Sequence, residues 1–145
     1  MATVRDGRMV KVDRKGGDRQ APVTPMNYRA FTLIADADFN EDLIRGMRRI
    51  EASIDFLTAS DGGTRGLRDR QVLELTAAAG RVVVSHDRKT MIGEFHQFLA
   101  DGHSSPGLIS VEQELDEGDA IEDLLLICVA TSAEELRDQI MWVPI

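Results

Sequence analysis

The sequence predicts a three-layer α/β/α domain with a mainly parallel sheet. Short apolar runs alternate with stretches of helical periodicity from residue 29 onward, and the connections between them are short. No period of roughly 20 to 50 residues recurs, which argues against a solenoid. Strands that alternate with helices over short connections form parallel sheets through right-handed crossovers. We therefore expect helices on both faces of one sheet.

The first strand and helix of this domain are expected within residues 31–50. Residues 31–35 are an apolar run closed by Asp36, a pattern typical of a buried parallel strand. Asp38 or Asn40 can cap the helix that follows. The apolar face of that helix has helical spacing and consists of Leu43, Ile44, Met47 and Ile50.

A second apolar run over 54–58 leads into the segment 60–66, whose three glycines favour a loop without a regular element. A helix is expected to resume near Asp69 and to stop at Gly80, a residue suited to the position after a helix. Consecutive valines then predict a buried strand, which ends at Ser85-His86-Asp87.

The remainder of the chain predicts five further elements. They are a helix over 91–99, a strand over 107–111, a helix over 121–130, a short helix that begins at the capping box of Ser132 and Glu135, and a strand over 140–143. Trp142 and the nearby Pro144 suit an edge position for this last strand.

Length and charge divide the chain into an extension and a domain. At 145 residues with 43% hydrophobic and 29% charged residues, the composition is that of a single globular domain. Residues 1–28 hold six basic and three acidic residues, whereas 29–145 hold the remaining 11 basic and 22 acidic ones. We expect 1–28 to be a flexible basic extension, most simply a solvated one. The net charge of −8 argues against binding of duplex nucleic acid by general electrostatics.

No membrane-spanning helix is expected, because the longest apolar run, 124–130, has only seven residues and a span needs roughly 20. The charged start of the chain is not followed by an apolar stretch, so no secretory signal is expected. Cys128 is the only cysteine and lies inside that apolar run. It is interpreted as a small core residue in a reducing compartment, which predicts the cytoplasm.

Four acids are expected at the carboxyl edge of the sheet, where parallel α/β folds bind ligands: Asp36, Asp38, Asp69 and Asp87. Each of them taken singly can be a helix cap that contributes roughly 1 kcal/mol. Two carboxylates about 4 Å apart repel by about 4 kcal/mol at an effective dielectric near 20, so a cluster needs a cation or a raised pKa. An all-oxygen site suits Mg²⁺ or Mn²⁺, and such an ion supports hydrolysis of a phosphodiester.

A family resemblance is carried by the strings LIADADFNEDLIRGM, GLRDRQVLELTAAAGRVVVSHD, PGLIS and AIEDLLLI, which cover roughly residues 31–145. They look like the small bacterial PIN-like domains, a family of ribonucleases that are often toxins beside a small antitoxin. The resemblance implies metal-dependent cleavage of single-stranded RNA, with Asp36, Asp69 and Asp87 as the catalytic acids. Asp38 stands where the family often has Asn.

Two positions depart from the family pattern and keep other functions open. Ala37 stands where a Glu is common, and Lys89 stands where a second acid is common after the strand. The alternative is therefore a catalytically impaired PIN-like domain that binds a small antitoxin-type protein. A third reading is a phosphatase that resembles the haloacid dehalogenases, because Asp36-Ala37-Asp38 is similar to their DxD motif, with Thr58 and Lys89 as candidates for later motifs. No paired acids end a later strand, which argues against it.

Basic residues beside the acids could meet RNA phosphates, and Arg68, Arg88 and Lys89 are the candidates. For any one of them, solvated surface is the simpler interpretation. His86 could orient a carboxylate, although a hydrogen-bonded structural histidine is the simpler expectation. Glu122 and Asp123 are further acidic candidates, and association into a homodimer stays open.

Overall fold

The computed structural model describes residues 2–5, 8–13, 17–18, 27–28 and 30–145. Its main body is an α/β domain built on five parallel strands. These strands are β4 (Leu33–Ala35), β5 (Phe56–Leu57), β6 (Val82–Ser85), β7 (Leu108–Val111) and β8 (Ile140–Val143). The helices of the described part are α1 (Glu41–Ile50), α2 (Ala59–Gly62), α3 (Asp69–Ala79), α4 (Met91–Ala100), α5 (Glu117–Ala130) and α6 (Ala133–Leu136).

Three further strands lie near the start of the chain. They are β1 (Ala2–Arg5), β2 (Arg8–Asp13) and β3 (Gly17–Asp18), and they pair antiparallel in that order. The predicted flexible extension over 1–28 lies partly outside the described residues. No strand is expected there from the sequence, because no sustained apolar alternation marks one. The flexibility of this segment stays a prediction.

Alternate residues of the central strands feed two apolar layers, one on each face of the sheet. Leu33 and Ala35 of β4 pack in one cluster with the buried faces of α1 and α5. Ile34, between them, packs in a second cluster with α3 and α4. Because successive side chains of a strand point to opposite faces, helices cover both sides. The predicted three-layer α/β/α fold is thereby confirmed, and its five-stranded sheet is parallel throughout.

The order of the strands is β5-β4-β6-β7-β8. From β4 the chain moves outward to β5 and then returns to β6 on the other side of β4. Connections therefore leave β4 and β6 in opposite directions, which opens a crevice at their carboxyl ends. Asp36 follows β4 and Asp87 follows β6, so this switch point lies between two of the three predicted catalytic acids.

Two helices differ from the sequence-based expectation. The glycine-rich segment predicted as a loop begins with the single turn of α2, whose N-cap Thr58 accepts a hydrogen bond from Asp61 N–H at 3.1 Å. A residue with a Cβ would be crowded at position 62 of that turn, because the Cβ would lie 2.3 Å from Ile34 Cδ1, whereas glycine has no Cβ. Helix α5 begins four residues before the predicted Ile121, since Asp116 caps an earlier turn.

None of the helices in the described part of the chain is both long and apolar enough to cross a membrane. The longest of them, α5, has 14 residues and carries acidic residues in its first turn.

Candidate functional site

The candidate site lies at the crevice between the carboxyl ends of β4 and β6. The two strands pair in parallel with Ala35 opposite Val84, and Asp36 N–H extends this pairing by donating to Val84 C=O at 2.9 Å. The sheet itself therefore sets the position of the Asp36 backbone. Asp87 is the second residue after the adjacent strand β6, so both acids stand at the same edge of the sheet.

The buried hydroxyl of Ser85 connects these two acids. Its Oγ donates to Asp36 Oδ2 at 2.9 Å and accepts the backbone N–H of Asp87 at 2.9 Å. Ser85 is only 1% exposed, so water does not compete with these bonds. The orientation of the Asp36 carboxylate is consequently coupled to the path of the chain after β6.

A second hydroxyl, that of Thr90, brings Asp69 to Asp87. Asp69 opens α3, and Thr90 directly precedes α4. Thr90 Oγ1 lies 2.6 Å from Asp69 Oδ2 and also forms a hydrogen bond with Asp87 Oδ2. Because a hydroxyl carries one hydrogen, the two carboxylates share a single hydrogen-bond donor. The other oxygen of Asp87 accepts the N–H groups of Lys89 and Thr90, both at 2.9 Å.

The electrostatic environments of Asp36 and Asp87 differ. Burial raises the pKa of Asp36, and the nearby charges of Asp69 and Asp38 raise it further, while the bonds from Ser85 and Ala37 N–H only partly offset this. Burial also acts to raise the pKa of Asp87, but the Thr90 hydroxyl and the neighbouring backbone N–H groups outweigh it, so that pKa is lowered. One carboxyl therefore holds its proton more tightly than usual and the other less tightly.

Asp38 is the least constrained of the four predicted acids. It is exposed in the turn after β4, where Phe39 N–H donates to Asp36 C=O at 3.1 Å. Its charge reaches Asp36, as the raised pKa of that residue shows. Asp38 thus lies within electrostatic range of Asp36, and its own side chain is exposed to solvent.

The fit of these acids to a divalent cation is partial. Carboxylate oxygens are the ligands that Mg²⁺ and Mn²⁺ prefer, so the donor chemistry is suitable. In the described ranges, however, no group of three or more His, Cys, Asp or Glu side chains is close enough to hold a metal ion. The acids are instead joined through Ser85 and Thr90. An ion shared by three of them would require their side chains to move closer together.

Of the predicted phosphate-binding residues, Arg88 is engaged by the protein itself. Its guanidinium donates to Ser110 Oγ and C=O, both at 3.1 Å, and to Val143 C=O at 2.8 Å. It also lies 5.3 Å from the centre of the Trp142 ring. Arg88 therefore ties together the carboxyl ends of β7 and β8.

Arg68 and Lys89 have different surroundings. Both are exposed, and neither forms an ion pair within the part of the chain that the structure describes. Arg68 stands directly before Asp69, and Lys89 directly before Thr90, so the two cations flank the Asp69–Thr90 contact. The contact of either residue with a phosphate stays a prediction.

A groove of about 910 Å³ runs between the first turns of α3 and α4 beside this contact. Its walls combine basic, acidic, amide and hydroxyl side chains, namely Arg68, Asp69, Arg70, Gln71, Glu74, Thr90, Glu94 and Gln97. Arg70 is held there by Asp101 at 2.8 Å. The groove is open to solvent and offers both donors and acceptors.

His86 has the surroundings of a structural residue. Its Nδ1 lies 3.0 Å from Val111 C=O, and its ring stacks on Phe39 with the centroids 4.6 Å apart. No hydrogen bond between His86 and a carboxylate is present among the described residues. The simpler expectation from the sequence therefore matches this geometry.

Two of the other candidates are also engaged by the protein itself. Thr58 caps α2, and Asp123 Oδ2 accepts the N–H of Ile145 at 3.0 Å.

Sequence reasoning overlooked Thr90, which connects two of the acids. A hydroxyl three residues after Asp87 and directly before a helix was the available signal, because such residues commonly bond the preceding loop.

Comparison with known proteins does not place the chain in a family: no family model, no curated protein and no solved structure matches it.

Proposed function

We propose that this protein is a metal-dependent ribonuclease that cleaves phosphodiester bonds of single-stranded RNA, in line with its resemblance to PIN-like domains. The observation that carries the proposal is the hydrogen-bonded series Asp36–Ser85–Asp87–Thr90–Asp69 at the switch point of the sheet. Three acids that are distant in sequence are there joined by two hydroxyl groups. Helix capping alone does not explain this series, because a capping side chain needs a hydrogen bond only to the backbone of its own helix.

The acids Asp36, Asp69 and Asp87, with Asp38 at the rim, would hold Mg²⁺ or Mn²⁺. A bound ion of this kind lowers the pKa of a water ligand and neutralises charge on the phosphodiester. Ser85 orients the Asp36 carboxylate, while the Thr90 hydroxyl and nearby backbone N–H groups lower the pKa of Asp87 and so favour its charged form. Arg68 and Lys89 are proposed to contact the phosphates on either side of the cleaved bond. Such chemistry agrees with the cytoplasmic location predicted from the sequence.

The second candidate is a PIN-like domain without catalysis that binds a small antitoxin-type protein. It is favoured by the finding that no three acids of the described chain meet closely enough to hold an ion. The departures at Ala37 and Lys89 act in the same direction, since each removes a carboxylate from the family pattern.

Incubation of the purified protein with end-labelled single-stranded RNA and Mg²⁺ or Mn²⁺ tests the first candidate. We expect cleavage that requires the divalent ion and is lost in Asp36→Asn and Asp87→Asn. Glu134→Gln is the matched control, because it also exchanges a carboxylate for an amide but lies exposed on α6, away from the crevice. If the wild type and Asp87→Asn are equally inactive on RNA, the binding function replaces the nuclease.

A binding measurement without turnover separates loss of chemistry from loss of the ion. Mn²⁺ should raise the melting temperature of the wild type and of Glu134→Gln, because it binds only the folded protein. The same ion should not raise that of Asp36→Asn or Asp69→Asn. Hydrolysis of a small phosphomonoester that Asp36→Asn abolishes would instead favour the phosphatase.

A further inference from the structure

The groove between the first turns of α3 and α4 has two walls that each carry a row of polar side chains. With a volume of about 910 Å³, it lies within the range of roughly 300–1,000 Å³ typical of small-ligand sites. Residues three or four positions apart share one face of a helix. The rows are Arg68, Gln71 and Glu74 on α3, and Thr90, Glu94 and Gln97 on α4. The groove is therefore a site for hydrogen bonds.

The charges of the groove determine which part of an RNA chain it accepts. Among the described residues that line it, three acids outnumber two cations. One of these cations, Arg70, is already paired with Asp101 at 2.8 Å. A phosphate is therefore repelled from the interior of the groove, whereas an uncharged group enters without this cost. The uncharged, hydrogen-bonding part of RNA is its base.

The guanidinium of Arg70 forms a fixed flat surface on the groove wall. Its Cζ lies 5.1 Å from the centre of the Phe98 ring, and its Nη1 donates to Asp101 Oδ2 at 2.8 Å. Gln97 Nε2 holds the other oxygen of Asp101, also at 2.8 Å. Phe98 is 2% exposed and does not line the groove, whereas Arg70 does, so the guanidinium covers the ring on the groove side. Unpaired bases stack on guanidinium planes of this kind.

Glu94 is the free hydrogen-bond acceptor of the groove. It is half-buried on α4, and its carboxylate has no hydrogen bond or ion pair within the part of the chain that the structure describes. Glu74, by contrast, is 57% exposed and has Arg70 Nε at 3.9 Å. Glu94 lies one helical turn, about 5.4 Å along the axis, after Thr90, the residue that connects two of the acids.

Guanine is the base whose hydrogen-bonding edge matches such an acceptor. A carboxylate has two acceptor oxygens and no donor. On the Watson–Crick edge of guanine, N1–H and the N2 amino group lie side by side, so that both can donate to one carboxylate. Adenine and cytosine have one amino group beside an acceptor nitrogen, and uracil has one N–H between two carbonyl oxygens. Each of these three bases therefore sets an acceptor against the carboxylate.

We propose that this groove binds a guanine base of single-stranded RNA, stacked on the Arg70 guanidinium with its Watson–Crick edge donating to Glu94. The groove opens beside the Asp69–Thr90 contact, so a base bound there brings its adjoining phosphodiester to the acids. The inference rests on the proposed nuclease function in that the base selects which bond is cleaved. Recognition of the base itself needs neither a metal ion nor a chemical step.

Binding of guanosine 5′-monophosphate to the full chain in EDTA tests the groove separately from catalysis. The amide signals of α3 and α4 in the NMR spectrum of the ¹⁵N-labelled protein report the site. We expect this nucleotide to shift them with a Kd at least about tenfold below those of the adenosine, cytidine and uridine monophosphates, as for one bidentate base contact.

Glu94→Gln should weaken binding of the guanosine nucleotide at least about tenfold, because the new amide presents a donor to the donors of the base. It should not weaken binding of the uridine nucleotide. Arg70→Lys keeps the charge but loses the plane, so it should weaken all four nucleotides. Glu134→Gln, at an exposed acid on α6, is the matched control for the first variant. Circular dichroism checks that each variant is folded.

Cleavage of RNA strands that differ in a single base tests the same site in the presence of Mg²⁺ or Mn²⁺. We expect the wild type to cut beside guanosine in preference to adenosine, and Glu94→Gln to lose most of this preference. Cleavage without a base preference overturns the inference and leaves the nuclease standing. Selective binding of the guanosine nucleotide without any cleavage supports the base site and overturns the nuclease.

The binding experiment can also overturn the inference by itself. It does so if the guanosine nucleotide shifts no groove signal at about 10 mM, where even a site with a Kd of about 1 mM would be occupied. Equal affinities for the guanosine and uridine nucleotides, or a Glu94→Gln protein that binds both as the wild type does, have the same consequence.

Discussion

Ser85 Oγ donates a hydrogen bond to Asp36 Oδ2 over 2.9 Å, across two neighbouring parallel strands. The two residues are 49 positions apart in the chain, so only the sheet brings them together. The bond holds a carboxylate whose pKa burial raises, and it limits that rise by stabilising the charged form. Asp36 is therefore kept in a fixed orientation at a cost in stability, a combination that is common where a carboxylate has a function.

The first prediction concerns the stability of Asp36→Asn. The raised pKa means that folded Asp36 binds its proton more tightly than the unfolded chain does. Stability is therefore lost as the pH rises from the ordinary value of 3.8 through the raised pKa. Asparagine has no charge to bury, so Asp36→Asn should be more stable than the wild type at pH 7. Urea unfolding at neutral pH measures this difference.

The advantage should disappear near about pH 3, where the wild-type carboxyl is protonated in both states. Glu134→Gln, which exchanges an exposed carboxylate on α6 for an amide, is measured beside it as the matched control. An Asp36→Asn protein that is less stable than the wild type at pH 7 would contradict the interpretation.

The second prediction concerns the hydroxyl shared by Asp69 and Asp87. Thr90→Val removes it, whereas Thr90→Ser keeps it. The lowered pKa of Asp87 contributes stability that is present above the ordinary value of 3.8 and is lost as the pH falls through the lowered pKa. At pH 7, Thr90→Val should therefore lose about 0.5–1.5 kcal/mol of unfolding free energy, as expected for one hydrogen bond.

Thr90→Ser should retain most of the wild-type stability at pH 7, and the difference between the two variants should narrow in acid. Denaturant titrations at neutral and acidic pH compare them. A loss of stability for Thr90→Ser with none for Thr90→Val would mean that the methyl group, and not the hydroxyl, matters at this position.

The third prediction concerns the reactivity of Cys128. Its side chain lies in the core under α5 with 3% exposure, and burial raises its pKa to about 12. Because the thiolate is the reactive form, the folded protein should react with a disulfide reagent at pH 8 at least about a hundredfold more slowly than the unfolded chain. Absorbance at the wavelength of the released thiol follows both reactions. Comparable rates would place Cys128 at the surface.

The fourth prediction concerns the close contact between Gly107 and the last residue of α6. Gly107 has a φ of +131°, and a Cβ there would lie 2.6 Å from the carbonyl oxygen of Leu136. Gly107→Ala should therefore lower the unfolding free energy by at least about 1–3 kcal/mol, the usual range for a strained backbone. Gly93 in α4 has nothing within 4 Å of the same position.

Gly93→Ala should instead stabilise the protein by up to about 1 kcal/mol, because alanine favours a helix interior. Thermal melts of the two variants give shifts of opposite sign if this is correct. A tolerated alanine at position 107 would show that the two segments can separate without cost.

Several elements could be predicted from local pattern because their causes are local. The valines of β6 predict a strand, the spacing in α1 predicts an amphipathic helix, and a strand near the end of the chain is expected from residues 140–143. Acids that directly follow apolar runs predict a polar edge of the sheet, which is where Asp36 and Asp87 lie. Each of these inferences needs only residues a few positions apart.

The contacts within the candidate site could not be predicted without the tertiary structure. Thr90 and Asp69 are 21 residues apart, and Arg88 reaches Val143 over 55 residues. Which side chains meet depends on the order β5-β4-β6-β7-β8 and on the register between strands. That order follows from the packing of two apolar layers and not from any short stretch of residues. Local chemistry therefore determines which groups are present at the edge, and long-range packing decides which of them touch.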